Sequence, residues 1–155
     1  MTLSEHNSWA QATGFLRTSA SNVWKLLTDP KLTEHYMYNC QLHADWQIGG
    51  QAVWKAQDEK GNWIDHVKAQ VLLYEPYRHL AFIIMHQATA ERPEVKSELH
   101  YTLEPKSDGI QLTIKQGNFT DLKQDDELLE RCQQGWDFVM PMLIETCHHV
   151  FDKLT

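Results

Sequence analysis

The sequence predicts an α+β domain in which a curved antiparallel sheet packs against one long C-terminal helix. Strand-length segments with two-residue periodicity and short turns fill the chain from Cys40 to Gln116. An apolar periodicity of three and four residues then runs from Leu128 to Leu154. The first pattern is typical of an antiparallel meander and the second of an amphipathic helix. No repeat or Pro/Gly/Ser-rich linker divides the 155 residues, so one domain over residues 1–155 is expected.

The first predicted elements are a strand and two short helices. The segment from Trp9 to Thr18 contains aromatic and β-branched residues that favour an opening strand. Ser19 is a suitable N-cap for a helix, and Asp29 followed by Pro30 has the N-cap and first-position pattern that begins a second one. The apolar residues of the first helix are Val23, Trp24, Leu26 and Leu27. These helices should close one end of the sheet.

Apolar residues recur at every second position in the segments that follow the bend at Gly49-Gly50. Between Trp63 and Tyr74 the odd positions are predicted to face the core, which would place Trp63 and Asp65 on the face of Val67. The positions that share the predicted inward face of each strand are Ala52, Trp54 and Ala56; Val67, Ala69, Val71 and Leu73; Leu80, Phe82, Ile84 and His86; Val95, Leu99, Tyr101 and Leu103; and Ile110, Leu112 and Ile114. Each strand therefore has one buried face.

The last thirty or so residues are predicted to be helical. Asp121 with Gln124 resembles a capping box, and the acidic residues after it suit the positive end of a helix dipole. The apolar stripe consists of Leu128, Cys132, Trp136, Val139, Met140, Leu143, Cys147, Val150, Phe151 and Leu154. Pro141 lies inside the stripe and predicts a kink just before it. This helix should pack along the concave face of the sheet.

Charge and motifs exclude several function classes. Fourteen Lys and Arg against 21 Asp and Glu give a net charge of -7, which disfavours nucleic acid as a partner. The three cysteines form no CxxC pair, and the sequence contains no signal peptide or membrane span, so a cytoplasmic location without membrane insertion is expected. His148 and His149 are adjacent on a helix and point in different directions, so they cannot bind the same metal ion. No metal, cofactor or catalytic residue is predicted, because no GxSxG, P-loop or GxGxxG pattern occurs.

The six tryptophans allow two interpretations, a thick filled core or a hollow lined by aromatic rings. Inward-facing positions give a set of candidate ligand-binding residues. They are Trp24, Trp54, Trp63, Asp65, Val67, Phe82, Ile84, His86, Tyr101, Trp136 and Met140. Asp65, His86 and Tyr101 would supply polarity to the wall of a cavity, where such groups orient a ligand or move a proton.

Several short motifs, in order along the chain, carry a resemblance to a known family. They are Val23-Trp24, Asp29-Pro30, the run from Asp45 to Gly50 (DWQIGG), the run from Val71 to Leu80 (VLLYEPYRHL), and Gly135-Trp136. The chain resembles the activator-of-heat-shock-protein-ATPase-homologue-like family of the START and birch-pollen-allergen-like superfamily. The resemblance implies the helix-grip fold, in which a seven-stranded antiparallel sheet wraps around a long helix and leaves a cavity between them.

The resemblance implies a wide range of functions, because the superfamily includes lipid carriers, hormone receptors, polyketide cyclases, aromatases and a co-chaperone domain. The first hypothesis is a module that encloses a small hydrophobic, aromatic or lipid-like molecule. The alternative is an enzyme of the cyclase or hydrolase type that uses Asp65, His86 or Tyr101. A co-chaperone role is less favoured, because in the family the main chaperone contact is made by an additional N-terminal domain that this chain has no room for. The last hypothesis is that the pocket is vestigial and the protein acts through its surface or as a homodimer. Tyr36-Met37-Tyr38 would be the contact patch, although packing of these residues against the second short helix is favoured.

Overall fold

Seven strands and three helices make up the computed structural model, which describes residues 8–90, 93–119 and 127–151. In chain order the elements are β1 (Ala10–Leu16), α1 (Ala20–Thr28), α2 (Pro30–Thr33), β2 (Gln41–Ala44), β3 (Gln51–Gln57), β4 (Trp63–Glu75), β5 (His79–His86), β6 (Val95–Lys106), β7 (Gly109–Gly117) and α3 (Leu128–Phe151). All strands belong to one antiparallel sheet of order β1-β7-β6-β5-β4-β3-β2. The predicted fold class and element order are confirmed.

The two short helices begin where the sequence predicted, and their caps explain why. The Ser19 hydroxyl accepts a hydrogen bond from the backbone N–H of Asn22, at 3.2 Å. The Asp29 carboxylate accepts one from the N–H of Lys31 at 2.9 Å, and Pro30 occupies the first turn of α2. Each cap pairs a backbone donor that a helix start leaves without a partner.

The long helix α3 lies over the β1 edge of the sheet. A Cβ added to Gly14 would stand 2.7 Å from Sδ of Met140 and 2.9 Å from Cδ1 of Ile144, so the missing side chain lets helix and strand approach closely. Further along, the N–H of Arg17 donates to His148 Nε2 at 3.3 Å. The helix is continuous across Pro141. The proposed cap at Asp121 and Gln124 and the last stripe residue, Leu154, lie outside the described residues.

Strand β4 contains two bulges that correct the predicted assignment of its faces. Opposite Trp54 and Lys55 the register jumps from Val67 to Asp65, so one extra residue of β4 shifts the alternation. Trp63 consequently lies on the convex face, 47% exposed, with its ring near Lys55 Nζ at 5.1 Å. Asp65 is paired with Lys55 and lies on the same face as Trp63. The expected inward positions of Trp63 and Asp65 are therefore wrong.

The second bulge falls at the other end of β4. Val71 is paired with Phe82, but Leu73 is paired with Ala81, so the extra residue is Leu72. Beyond this point Tyr74 rather than Leu73 takes the inward face, where its ring stacks on Trp46 at 5.6 Å. The regular alternation from Val67 to Leu73 therefore holds only for Val67, Ala69 and Val71.

Within the described ranges, no helix is both long enough and apolar enough to span a membrane.

Candidate functional site

Because α3 packs mainly against β1, only its first turns and α1 approach the concave face of β3, β4 and β5. At one end of this face the space is filled by aromatic side chains. Trp24 of α1 contacts Tyr74 edge-on at 5.5 Å, and Trp46 contacts both Tyr74 and Phe82. Phe82 in turn contacts Trp54, with the two ring centroids 5.0 Å apart. Such edge-to-face and offset contacts suit ring quadrupoles and make this end a solid core.

At the other end the same face bounds a pocket of about 920 Å³. Its walls come from β3 to β7, from the first turns of α3, and from the segment between α2 and β2. The lining residues are Met37, Tyr38, Cys40, Trp54, Asp65, His66, Val67, Lys68, Ile84, Met85, His86, Gln87, Glu94, Leu99, Gln116, Leu128, Arg131, Cys132 and Trp136. Trp54 and Trp136 are 4% and 7% exposed, so these two rings form walls rather than surface.

A chain of hydrogen bonds crosses the sheet at the wall of the pocket. The indole N–H of Trp136 donates to Gln116 Oε1 at 2.9 Å, and Gln116 Nε2 donates to Ser97 Oγ at 3.0 Å. Ser97 Oγ lies 2.7 Å from Nε2 of His86. Gln116 and Ser97 are both buried, which makes this a desolvated polar network inside an otherwise apolar face.

The charged residues of the pocket lie at its rim. Asp65, Lys68, Glu94 and Arg131 are all exposed, whereas the buried wall contains no charged side chain among the described residues. Two thiols also line the pocket. Cys132 is partly exposed, and Cys40 is buried, which raises the pKa of its thiol. Across the described ranges, no group of three or more His, Cys, Asp and Glu side chains is arranged to hold a metal ion.

The structure brings together six of the eleven candidate residues and separates the rest. The six in the pocket are Trp54, Asp65, Val67, Ile84, His86 and Trp136. Trp24 and Phe82 belong to the solid aromatic end, and Met140 lies against Gly14. Trp63 lies on the convex face.

Tyr101 is buried behind the pocket, between Phe82 and Trp136, with ring centroids at 6.3 and 6.1 Å. Burial raises the pKa of its hydroxyl. The three polar candidates therefore occupy three settings: Asp65 is at the rim, His86 is in the wall, and Tyr101 is in the core. They do not form one cluster.

Sequence reasoning missed Ser97 and Gln116, the two central members of the polar chain. The sequence nevertheless contained a signal for both residues. Ser97 continues the alternation that includes Leu99 and Tyr101, and Gln116 continues the one that includes Ile114. Extending each apolar face by one more alternate position places a polar residue in the core, where it needs a hydrogen-bond partner.

The predicted surface patch Tyr36-Met37-Tyr38 is divided in the structure. Tyr36 is 1% exposed and its hydroxyl donates to the carbonyl of Leu26 at 2.8 Å, so it is packed in the core and is not part of an exposed patch. Met37 lines the pocket. Tyr38 is exposed and stacks on Phe138 of α3 at 5.6 Å. This stacked pair joins the α2–β2 segment to the helix beside the pocket.

The family model described as activator of Hsp90 ATPase homolog 1-like protein matches residues 17–147. The chain belongs to this family. Among curated proteins, none matches the sequence significantly. The resemblance found in the sequence motifs is thereby confirmed, and the helix-grip architecture agrees with it.

Solved structures show how widely this family's fold recurs. Protein NE0264 from Nitrosomonas europaea is 20% identical, with a TM-score of 0.69 over 96% of this chain and 98% of that one. Protein MLL2253 from Mesorhizobium loti is 19% identical, with a TM-score of 0.68 over 95% and 98%. CalU16 from Micromonospora echinospora is 19% identical, with a TM-score of 0.66 over 90% and 75%. At these identities the likeness supports the fold alone.

Proposed function

We propose that this member of the family is a small-molecule binding module that encloses an apolar, aromatic or lipid-like ligand in the pocket between the sheet and α3. The observation that carries the proposal is the size and placement of the pocket. Its volume of about 920 Å³ lies within the roughly 300–1,000 Å³ typical of small-molecule sites. Strands β3 to β7 and the first turns of α3 line it.

The chemistry of the walls supports the same proposal. Trp54, Ile84 and Leu99 present apolar surface from three neighbouring strands, and Trp136 faces them from the helix. Apolar walls with a small number of placed polar groups are the usual composition of ligand sites. Removal of such a ligand's surface from water would supply the main driving force for binding.

The cyclase or hydrolase alternative has less support. The nearest approach to a nucleophile and base is the contact of Ser97 with His86 at 2.7 Å. Ser97 does not line the pocket, and its oxygen also accepts a hydrogen bond from Gln116. A nucleophile must reach the reacting carbon, and this hydroxyl is built into the wall.

Native mass spectrometry of the purified protein tests the proposal directly. We expect a fraction of the protein to carry a co-purified small molecule, or to bind the neutral fluorophore 6-propionyl-2-(dimethylamino)naphthalene with one-to-one stoichiometry. Absence of both would contradict the proposal.

Cys132, one of the two thiols that line the pocket, gives an independent readout of where the fluorophore binds. Cys132 lines the pocket, whereas Cys147 is 0% exposed on the same helix. We expect saturating fluorophore to slow the reaction of Cys132 with N-ethylmaleimide at least about fivefold, because a ligand in the pocket shields the thiol. Peptide mapping identifies the modified cysteine. An unchanged rate at Cys132 would place the fluorophore elsewhere.

A further inference from the structure

Gln116 is a buried carboxamide residue that lines the pocket. The residue is 7% exposed, lines the pocket and lies on β7 opposite Leu99 of β6, another lining residue. A carboxamide in such a position requires hydrogen-bond partners. The partners of its carbonyl oxygen and its amide nitrogen therefore indicate which ligand groups the pocket can bind.

The orientation of the Gln116 amide is determined by Trp136. An indole N–H can only donate, so the Gln116 atom 2.9 Å from Trp136 Nε1 is the carbonyl oxygen. The amide nitrogen then points toward Ser97 and donates to Oγ at 3.0 Å. The serine proton is left for the remaining neighbour, Nε2 of His86. Each bond in the chain thus fixes the direction of the next.

This chain uses half of the hydrogen-bonding capacity of the amide. A carboxamide has two N–H donors and two acceptor lone pairs. Within the described part of the protein, the Gln116 side chain uses one N–H on Ser97 and one lone pair on Trp136. One donor and one acceptor remain on a group that lines the pocket.

The charges around the pocket indicate which ligand groups can bind the remaining donor and acceptor of Gln116. The exposed rim holds the charged residues Asp65, Lys68, Glu94 and Arg131. An ionised group bound beside Gln116 would have no opposite charge next to it in the described wall, and burying an unpaired charge is strongly unfavourable. A neutral group that both accepts and donates, or only accepts, fits the amide without that cost.

We infer that Gln116 is the specificity-determining residue of the pocket, and that the ligand is a neutral amphipathic molecule whose apolar body carries a carbonyl or hydroxyl group bound by this amide. The inference rests on the proposed function, since it names the ligand chemistry of the same pocket. Trp136 acts as a positioning residue, because its N–H holds the amide in one orientation.

A pair of probes of nearly equal shape tests the inference. One is 6-propionyl-2-(dimethylamino)naphthalene, and the other is its 6-propyl analogue, which lacks the carbonyl. Dissociation constants are measured by fluorescence titration for the wild type and for Gln116→Leu. We expect the substitution to weaken the ketone about five- to tenfold more than the hydrocarbon, the size of one net hydrogen bond. Such a double comparison cancels general changes in the pocket.

Two further variants keep the test decisive. Trp136→Phe retains an aromatic wall but frees the amide to turn, so part of the preference for the ketone should be lost. Ile84→Ala removes apolar wall alone and should weaken both probes by a similar factor. Circular dichroism and thermal melting establish that each variant is folded. Should Gln116→Leu not fold, the Trp136→Phe comparison decides.

The outcomes separate the two proposals. Equal weakening of both probes in Gln116→Leu and Trp136→Phe would overturn the role of Gln116 and leave the binding module standing. If the wild type binds neither probe, the proposed function itself fails, and the inference fails with it. A ketone preference that disappears when Gln116 is replaced supports both.

Discussion

Two buried tyrosines lie in the same core and make different contacts. Tyr36 and Tyr101 are 1% and 2% exposed. The Tyr36 hydroxyl donates to the carbonyl of Leu26 at 2.8 Å. Burial raises the pKa of this hydroxyl, and Tyr101 raises it by a smaller amount. Tyr101 contacts Phe82 and Trp136 through its ring. A buried hydroxyl that donates a hydrogen bond contributes to stability through that bond.

Replacement of each tyrosine by phenylalanine should therefore have effects of different size. Tyr36→Phe should lower the free energy of unfolding by about 1 kcal/mol, because it removes a hydrogen bond and leaves a carbonyl acceptor behind. Tyr101→Phe should change it by less than about 0.5 kcal/mol, because phenylalanine keeps the ring contacts with Phe82 and Trp136. Urea denaturation of the two variants and the wild type measures both. A loss in Tyr101→Phe as large as that in Tyr36→Phe would contradict the assignment.

At the scale of elements, the structure differs from the sequence pattern mainly in β4 and at the edge of β1. A strand of thirteen residues that curves around a core needs bulges, and β4 has two. At the β1 edge the side chain of Gln133 pairs with the backbone of Gln11 twice. Its Oε1 accepts from the N–H at 2.9 Å, and its Nε2 donates to the carbonyl at 2.8 Å. The amide thus covers an open edge that would otherwise be available for association.

Gln133→Ala should destabilise the protein, whereas Gln134→Ala should not. The first substitution removes both bonds between α3 and β1, and we expect a loss of about 1 kcal/mol in unfolding free energy. Gln134 is exposed on the next position of the helix, and its replacement should change stability by less than about 0.5 kcal/mol. Thermal or urea denaturation measures the difference. Equal effects of the two variants would show that the edge contact is energetically unimportant.

At the scale of the whole molecule, the convex face of the sheet is polar, whereas its concave face borders the aromatic core and the pocket. On the convex face His79 Nε2 and His100 Nδ1 lie 2.8 Å apart, and His100 Nε2 contacts Glu98 at 2.8 Å. Partial burial and then the neighbouring His100 lower the pKa of His79, although Glu75 opposes this. Partial burial and Lys55 lower the pKa of His43 in the same way.

These shifts give the sign of a pH dependence. A histidine whose pKa is lower in the folded state binds fewer protons there than in the unfolded chain, where its pKa is about 6.5. The free energy of unfolding should therefore fall as the pH decreases from about 7 through 6. His79→Gln should make this slope shallower. Urea denaturation at a series of pH values measures it, and an unchanged slope would contradict the contribution of His79.

The sequence by itself determined the kind and order of the elements and the family. Helix caps at Ser19 and Asp29, two-residue alternation and the apolar helical stripe are local signals, because they depend on neighbours within a few residues. The motifs from Trp24 to Trp136 identified the family for the same reason, since they are short and in a fixed order.

Only the tertiary structure decided which aromatic rings fill the core and which border the pocket. The bulges of β4 moved Trp63 to the convex face, and the close contact at Gly14 set α3 over β1 and left space beside β3 to β5. The pairing of Gln116 with Trp136 joins residues on different elements. Strand register and helix placement depend on contacts between distant segments, which period and composition do not encode.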